Sequence, residues 1–190
     1  MLAESRQTKP RPETARVFFA LWPSPEIAQR LAAVAASHAK DAGGRATRGE
    51  TIHLTLAFLG DVALESLPEL QRVAGEVRAS AFDLVLNRFG VWRHNRLFWA
   101  GCTTTPHALA ALSSSLVHAL QTAGFAVADA KRHFTPHITL VRKVAALEAA
   151  LPACEPLSWR CDKFVLVRSQ LSVAGSAYRT IAEFPLGGEV

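Results

Sequence analysis

The chain has 190 residues, 49% of them apolar and 19% charged. It is long enough to bury a core without a disulfide or metal staple, and the composition excludes a disordered chain and a long coiled coil. The net charge is +5, and residues 1–16 supply +2 of it, with Arg6, Lys9, Arg11 and Arg16 against Glu4 and Glu13; the weakly basic remainder is compatible with an anionic substrate such as nucleic acid without demanding one.

No apolar run approaches the roughly 18 residues that cross a bilayer. No hydrophobic segment of signal-peptide length precedes Val17. Cys102, Cys154 and Cys161 are an odd count with no C-x-x-C spacing, as expected of spectator thiols in a reducing compartment. The expectation is a cytoplasmic protein with no membrane partner.

Residues 1–15 read as a flexible basic arm and 16–190 as one bilobal domain. Order is expected from Val17 to Trp22, a strand. Ser24-Pro25-Glu26 then starts a helix, with Ser as cap, Pro in the first turn and Glu favoured by the helix dipole. It runs to about Lys40, and Gly43-Gly44 ends it. A strand covers 52–59, a helix 63–79 and strand-like sequence 82–92. Then 96–100 is a strand, Thr105-Pro106 opens a helix to about Thr122, and 136–141 is a strand. A short helix near 144–151 and strands near 157–169 and 178–184 complete the chain.

The order strand, helix, strand, helix, strand occurs twice. Leu97-Phe98-Trp99-Ala100 echoes Val17-Phe18-Phe19-Ala20, and His137-Ile138-Thr139-Leu140 echoes His53-Leu54-Thr55-Leu56. The class is therefore α+β: a duplicated fold of two similar lobes that places equivalent strands face to face across a central cleft. A cleft formed within one chain predicts a monomer.

On a strand, alternate side chains share a face. His53 and Thr55 therefore point one way while Ile52, Leu54 and Leu56 enter the core. His137 and Thr139 repeat this against Ile138 and Leu140. Two facing imidazoles suit phosphoryl transfer: a neutral one takes a proton from the attacking oxygen, and a charged one gives a proton to the leaving oxygen. The two hydroxyls suit the non-bridging phosphate oxygens. A single His-x-Thr is ordinary strand sequence, but two at equivalent points of a duplication are not.

The chain resembles the 2H phosphoesterases, and within them the RNA 2′,3′-cyclic phosphodiesterases, formerly called 2′-5′ RNA ligases. The resemblance rests on residues 16–20 before a Pro-initiated helix, on 53–60, on 132–142, and on a weaker tail of Ser169, Gly175 and Tyr178. It implies a fold of two α+β lobes with antiparallel sheets lining the cleft and helices outside, hydrolysis of an RNA end carrying a 2′,3′-cyclic phosphate to a 2′-phosphomonoester, and the joining of ends through a 2′-5′ linkage. It implies His53 as general acid, His137 as general base, Thr55 and Thr139 beside them, and no cofactor or metal. The residues alone leave the acid and base assignments interchangeable. The resemblance also implies a phosphate contact from Arg142, although on a regular strand Arg142 has the opposite parity to His137. Arg132 is a candidate for the RNA backbone. Tyr178, Phe19 and Phe58 are candidates for stacking on a base, Phe19 and Phe58 also reading as core residues. Arg45 and Arg48 precede the first motif and read as a solvated loop within reach of phosphates.

His133-x-x-x-His137 has the spacing of a helical metal pair, but Pro136 inside it breaks such a helix. His38 and His94 read as surface residues, as do His107 and His118 on their helix. No phosphate-binding glycine loop is present to support an ATP-dependent ligase or a dinucleotide enzyme. A phosphodiesterase for small or 2′-5′-linked nucleotides and a non-catalytic RNA-binding module remain the alternatives.

Overall fold

The computed structural model describes residues 13–172 and 175–187. Most of the arm expected at 1–15 lies outside them. Its last residues do not: the first strand, β1, is Thr14–Leu21 and starts before Arg16.

After β1 the order is α1 (Pro25–Ala42), β2 (Arg45–Ala46), β3 (Leu54–Ala63), α2 (Leu67–Gly75), β4 (Phe82–Leu86), β5 (Arg88–Trp92) and β6 (Leu97–Gly101). Then come α3 (His107–Thr122), β7 (His137–Arg142), β8 (Leu157–Cys161), β9 (Lys163–Ser172) and β10 (Gly175–Pro185). Ser24 caps α1 as its sequence predicts, its Oγ accepting the Ile27 N–H at 3.4 Å. Gly43 and Gly44 end α1 with φ of 70° and 106°, a region that costs other residues strain.

Stretch 144–151 is a run of turns rather than the expected helix. Its backbone donors are used elsewhere: Val144 N–H bonds the Arg96 carbonyl, and Ala145 and Ala146 N–H both bond the Ala42 carbonyl. These bonds pin the segment to the end of α1 and to the β5–β6 turn. Residues 63–79 form a shorter α2 preceded by a 3₁₀ turn at Leu64–Ser66.

The lobes are antiparallel as expected, and their sheets join into one. The order is β10-β9-β1-β3-β7-β6-β5, with β2 on β7, while β4 and β8 form a separate ribbon. The junction is a single residue pair, Leu54 opposite Ile138, both fully buried. The helices cross over. α1 packs against β7 and α3 against β3, so each lobe's sheet is backed by the other half's helix. Val17, Phe19, Leu21, Leu31, Leu54, Phe98, Leu112, Leu116, Ile138 and Leu140 share the resulting core. That continuity across both halves gives the cleft a stiff floor.

Candidate active site

Each motif strand carries a bulge at the same place. On β3, Ala57 pairs with Phe19 and Thr55 with Ala20, so Leu56 is skipped. On β7, Val141 pairs with Phe98 and Thr139 with Trp99, so Leu140 is skipped. An extra residue reverses the parity beyond it. Thus Leu140 and Val141 are both buried and Arg142 emerges on the face of His137 and Thr139. The parity obstacle to Arg142 is removed by the bulge. The skipped residues' carbonyls are satisfied from outside the sheet: Leu140 O accepts Thr47 N–H at 2.7 Å, and Leu56 O accepts the Ser113 hydroxyl at 3.3 Å.

The histidines flank the Leu54–Ile138 junction. Continuing that antiparallel register by one residue sets His53 opposite Thr139 and His137 opposite Thr55. Each imidazole donates Nδ1–H to the carbonyl two residues before it, His53 to Thr51 at 2.7 Å and His137 to Thr135 at 2.9 Å. A carbonyl only accepts, so Nδ1 carries the hydrogen and Nε2 is left for the cleft. Both rings thus present the same atom.

Rings fix these imidazoles further. Trp22 lies parallel to His53 at 5.3 Å, Tyr178 meets it edge-on at 5.4 Å, and Phe18 packs at 4.8 Å. Trp92 meets His137 edge-on at 4.4 Å. Burial drives the His53 pKa down to about 4; the bond to the Thr51 carbonyl opposes this, and the charges of Arg142 and His137 add to it. Burial also lowers His137, with Arg142 assisting and the Thr135 carbonyl opposing. Both imidazoles are therefore neutral at pH 7.

A cavity of about 200 Å³ holds His53, Thr55, His137, Thr139, Arg142 and Tyr178 on its walls. Arg45, Ala46, Thr47, Arg48 and Thr51 complete the lining, which contains no carboxylate among the described residues. Two imidazoles, the Thr55 and Thr139 hydroxyls beside them and three guanidinium groups suit a phosphate.

Four expectations are corrected. Phe19 is fully buried on the core face of β1, against Phe164 and Phe184, and offers nothing to a base. The rings on the cleft side of β1 are Phe18 and Trp22. Arg132 is absent from the cavity lining and pairs with Asp129 at 3.2 Å on the surface. His38 is buried, not exposed, and stacks on Phe98 at 3.9 Å. Arg45, though exposed, stands on β2 and lines the cavity, not in a loop. Phe58 is half-buried beneath the Arg16 guanidinium at 4.9 Å. His133 sits in irregular chain, not on a helix with His137, and among the described residues no three His, Cys, Asp or Glu are grouped to hold a metal. Thr51 and Thr135 were legible: both copies read Thr-x-His-x-Thr-Leu, and the leading Thr supplies each anchoring carbonyl.

A duplicated α+β fold with paired His-x-Thr strands facing one acid-free cavity defines a phosphoesterase of the two-histidine class. A family model described as LigT like phosphoesterase matches residues 21–99. The RNA 2′,3′-cyclic phosphodiesterase of Escherichia coli is 31% identical over 174 residues, 92% of this chain and 98% of that one. The RNA 2′,3′-cyclic phosphodiesterase of Thermus thermophilus is 26% identical over 181 residues, 92% of this chain and 91% of that one. A crystal structure of Escherichia coli LigT complexed with 3′-AMP matches with a TM-score of 0.85 at 30% identity, covering 93% of this chain and 100% of that one. The chain belongs to the LigT-like phosphoesterase family.

Proposed function

We propose that this protein hydrolyses the 2′,3′-cyclic phosphate at an RNA end to a 2′-phosphomonoester by two-histidine acid–base catalysis. The observation that carries the proposal is the matched anchoring of His53 and His137, which leaves both Nε2 atoms for one acid-free cavity.

The phosphorus sits between the two rings. His137 Nε2 accepts a proton from water as the water oxygen bonds phosphorus. The bond from phosphorus to the 3′ oxygen breaks, and that oxygen takes the proton from His53 Nε2. The 2′ oxygen keeps the phosphate. Thr55 and Thr139 hydroxyls and the Arg142 guanidinium hydrogen-bond the non-bridging oxygens as charge moves onto them. His53 receives its proton with the substrate: the phosphate's negative charge opposes the burial that otherwise keeps the ring neutral. An RNA 5′-hydroxyl in place of water gives a 2′-5′ linkage with both imidazoles in the same roles. Metal plays no part in these steps, and the protein acts as a cytoplasmic monomer.

The test is an RNA oligonucleotide ending in a 2′,3′-cyclic phosphate, incubated with the protein in excess EDTA. The expected product is a 2′-phosphate, lost in both His53→Ala and His137→Ala. A 3′-phosphate product, or turnover abolished by EDTA, overturns the mechanism.

A further inference from the structure

The two-residue strand β2 has a purpose that the two-histidine chemistry does not use. It pairs with β7 so that Arg45 stands directly opposite Arg142. Cross-strand partners share a face with Cβ atoms about 5 Å apart, and like charges there destabilise the pair. Both guanidinium groups line the cavity. Among the described residues neither forms an ion pair with a carboxylate. Arg48, on the same wall, differs from them in being held by Glu50 at 3.1 Å.

The chain also goes to some trouble to seat β2. Gly44 has φ of +106°, and a Cβ there would meet Arg142 O at 2.7 Å and Val141 Cγ1 at 2.9 Å. Thr47 then bonds the Leu140 carbonyl through its N–H. One guanidinium matches the charge of the monoanionic cyclic phosphate, and the second calls for a second anion.

We infer that Arg45, seated beside Arg142 by the pairing of β2 with β7, forms a subsite for the phosphodiester on the 5′ side of the terminal ribose, so that the enzyme reads an RNA chain end rather than a free cyclic mononucleotide. The inference rests on the proposed reaction for the orientation of the substrate, with Arg142 on the cyclic phosphate and Arg45 one phosphate upstream. The ligand is the last nucleotide of a chain, carrying one phosphate at each end of its ribose.

Three substrates separate the sources of a second phosphate: adenosine 2′,3′-cyclic phosphate, the same nucleotide with a 5′-phosphomonoester, and the dinucleotide UpA ending in the cyclic phosphate. Wild-type kcat/KM is expected to be about tenfold or more higher for the dinucleotide than for the bare nucleoside cyclic phosphate, the scale of one charge-assisted contact. Arg45→Gln collapses that ratio towards one, and Arg45→Lys keeps part of it. An equal loss on both substrates overturns the inference by placing Arg45 on the scissile phosphate. A gain confined to the 5′-phosphomonoester overturns the chain reading. A parallel calorimetric arm is independent of turnover. It compares binding of adenosine 2′-phosphate with binding of UpA 2′-phosphate across a salt series. Arg45→Gln is expected to reduce the slope of log K against log salt for the dinucleotide by about 0.7. An unchanged slope overturns the subsite even if the protein proves to have a different reaction, whereas failure of wild-type turnover with this binding intact overturns only the reaction.

Discussion

Phe58 and Arg142 occupy the same position in the two copies of the motif, each second after the bulge that follows Thr-Leu. The fold treats them alike and the chemistry does not. Phe58 lies against Phe18, with Arg16 above its ring, and adds to the apolar wall behind His53. Arg142 enters the cavity and presses on the protonation of both histidines. The near-symmetric site thus has one cationic and one aromatic side.

This asymmetry predicts unequal mutants. Arg142→Gln removes a guanidinium from the cavity where the proposed reaction builds charge on the phosphate, and kcat/KM is expected to fall by about 10²–10³. Phe58→Leu removes a ring and no charge, and costs far less. Steady-state kinetics on a cyclic-phosphate substrate check both. Equal losses would show that the two positions serve packing alone.

In the proposed reaction the histidines act as a unit. His53→Ala and His137→Ala should each lower kcat by about 10²–10⁴, and the double variant should fall little further than either. Far-UV circular dichroism establishes that each variant is folded. Additive losses would mean that the rings contribute separately, not as one proton relay.

The pH dependence follows from the shifts. His53 at about 4 and the lowered His137 leave both rings neutral at pH 7, while catalysis needs one proton on the pair. kcat/KM should therefore be bell-shaped with its maximum on the acid side of neutrality, falling as pH rises because the free enzyme lacks the proton. Binding an anion at pH 7 should take up a proton. Calorimetry in two buffers of different ionisation enthalpy measures this. A binding enthalpy independent of the buffer would contradict it.

The two His-x-Thr pairs were legible because strand alternation is local: residues two apart share a face whatever lies beyond them. Arg142 was offered by family resemblance and not by parity, since the bulge at Leu140 arises in the pairing of β7 with β6, a strand far away in the sequence. The same bulges shift the echo between the two halves by one residue. The sequence echo matched Phe19 to Trp99, whereas the pairings match Phe19 to Phe98 and Ala20 to Trp99. A one-residue shift exchanges the core face for the cleft face. His38 was misread because α1 backs β7, in the other half of the duplication, and no local pattern reveals a crossed-over helix.

His38 gives a stability prediction. Its ring is buried on Phe98, and Nε2 has no partner among the described residues. Burial lowers its pKa, with Asp41 opposing. The unfolded chain therefore binds a proton below about pH 6.5 that the folded chain resists, so acid favours unfolding and stability rises with pH through this window. Thermal melts should show a smaller loss of Tm from pH 8 to pH 5 in His38→Leu than in the wild type. His53 and His137, shifted the same way, supply the remaining slope. Identical slopes would show that His38 titrates alike in both states.

Gly44 separates backbone strain from steric conflict. Gly44→Ala adds a left-handed residue and drives its Cβ against Arg142 O at 2.7 Å, a carbonyl that cannot move without shifting β7. Gly124→Ala, at φ of +86° with nothing within 4 Å of its Cβ, adds the strain alone. Strain at such a residue costs about 1–2 kcal/mol. Gly124→Ala should lose about that much stability in urea and keep its kinetics. Gly44→Ala should lose more, because the conflict adds to the strain. It should also raise KM, since unseating β2 releases the N–H that holds the Leu140 bulge and with it the direction of Arg142. If both variants lose stability equally and both keep KM, the close approach of β2 to β7 is not what sets the cationic side of the cavity.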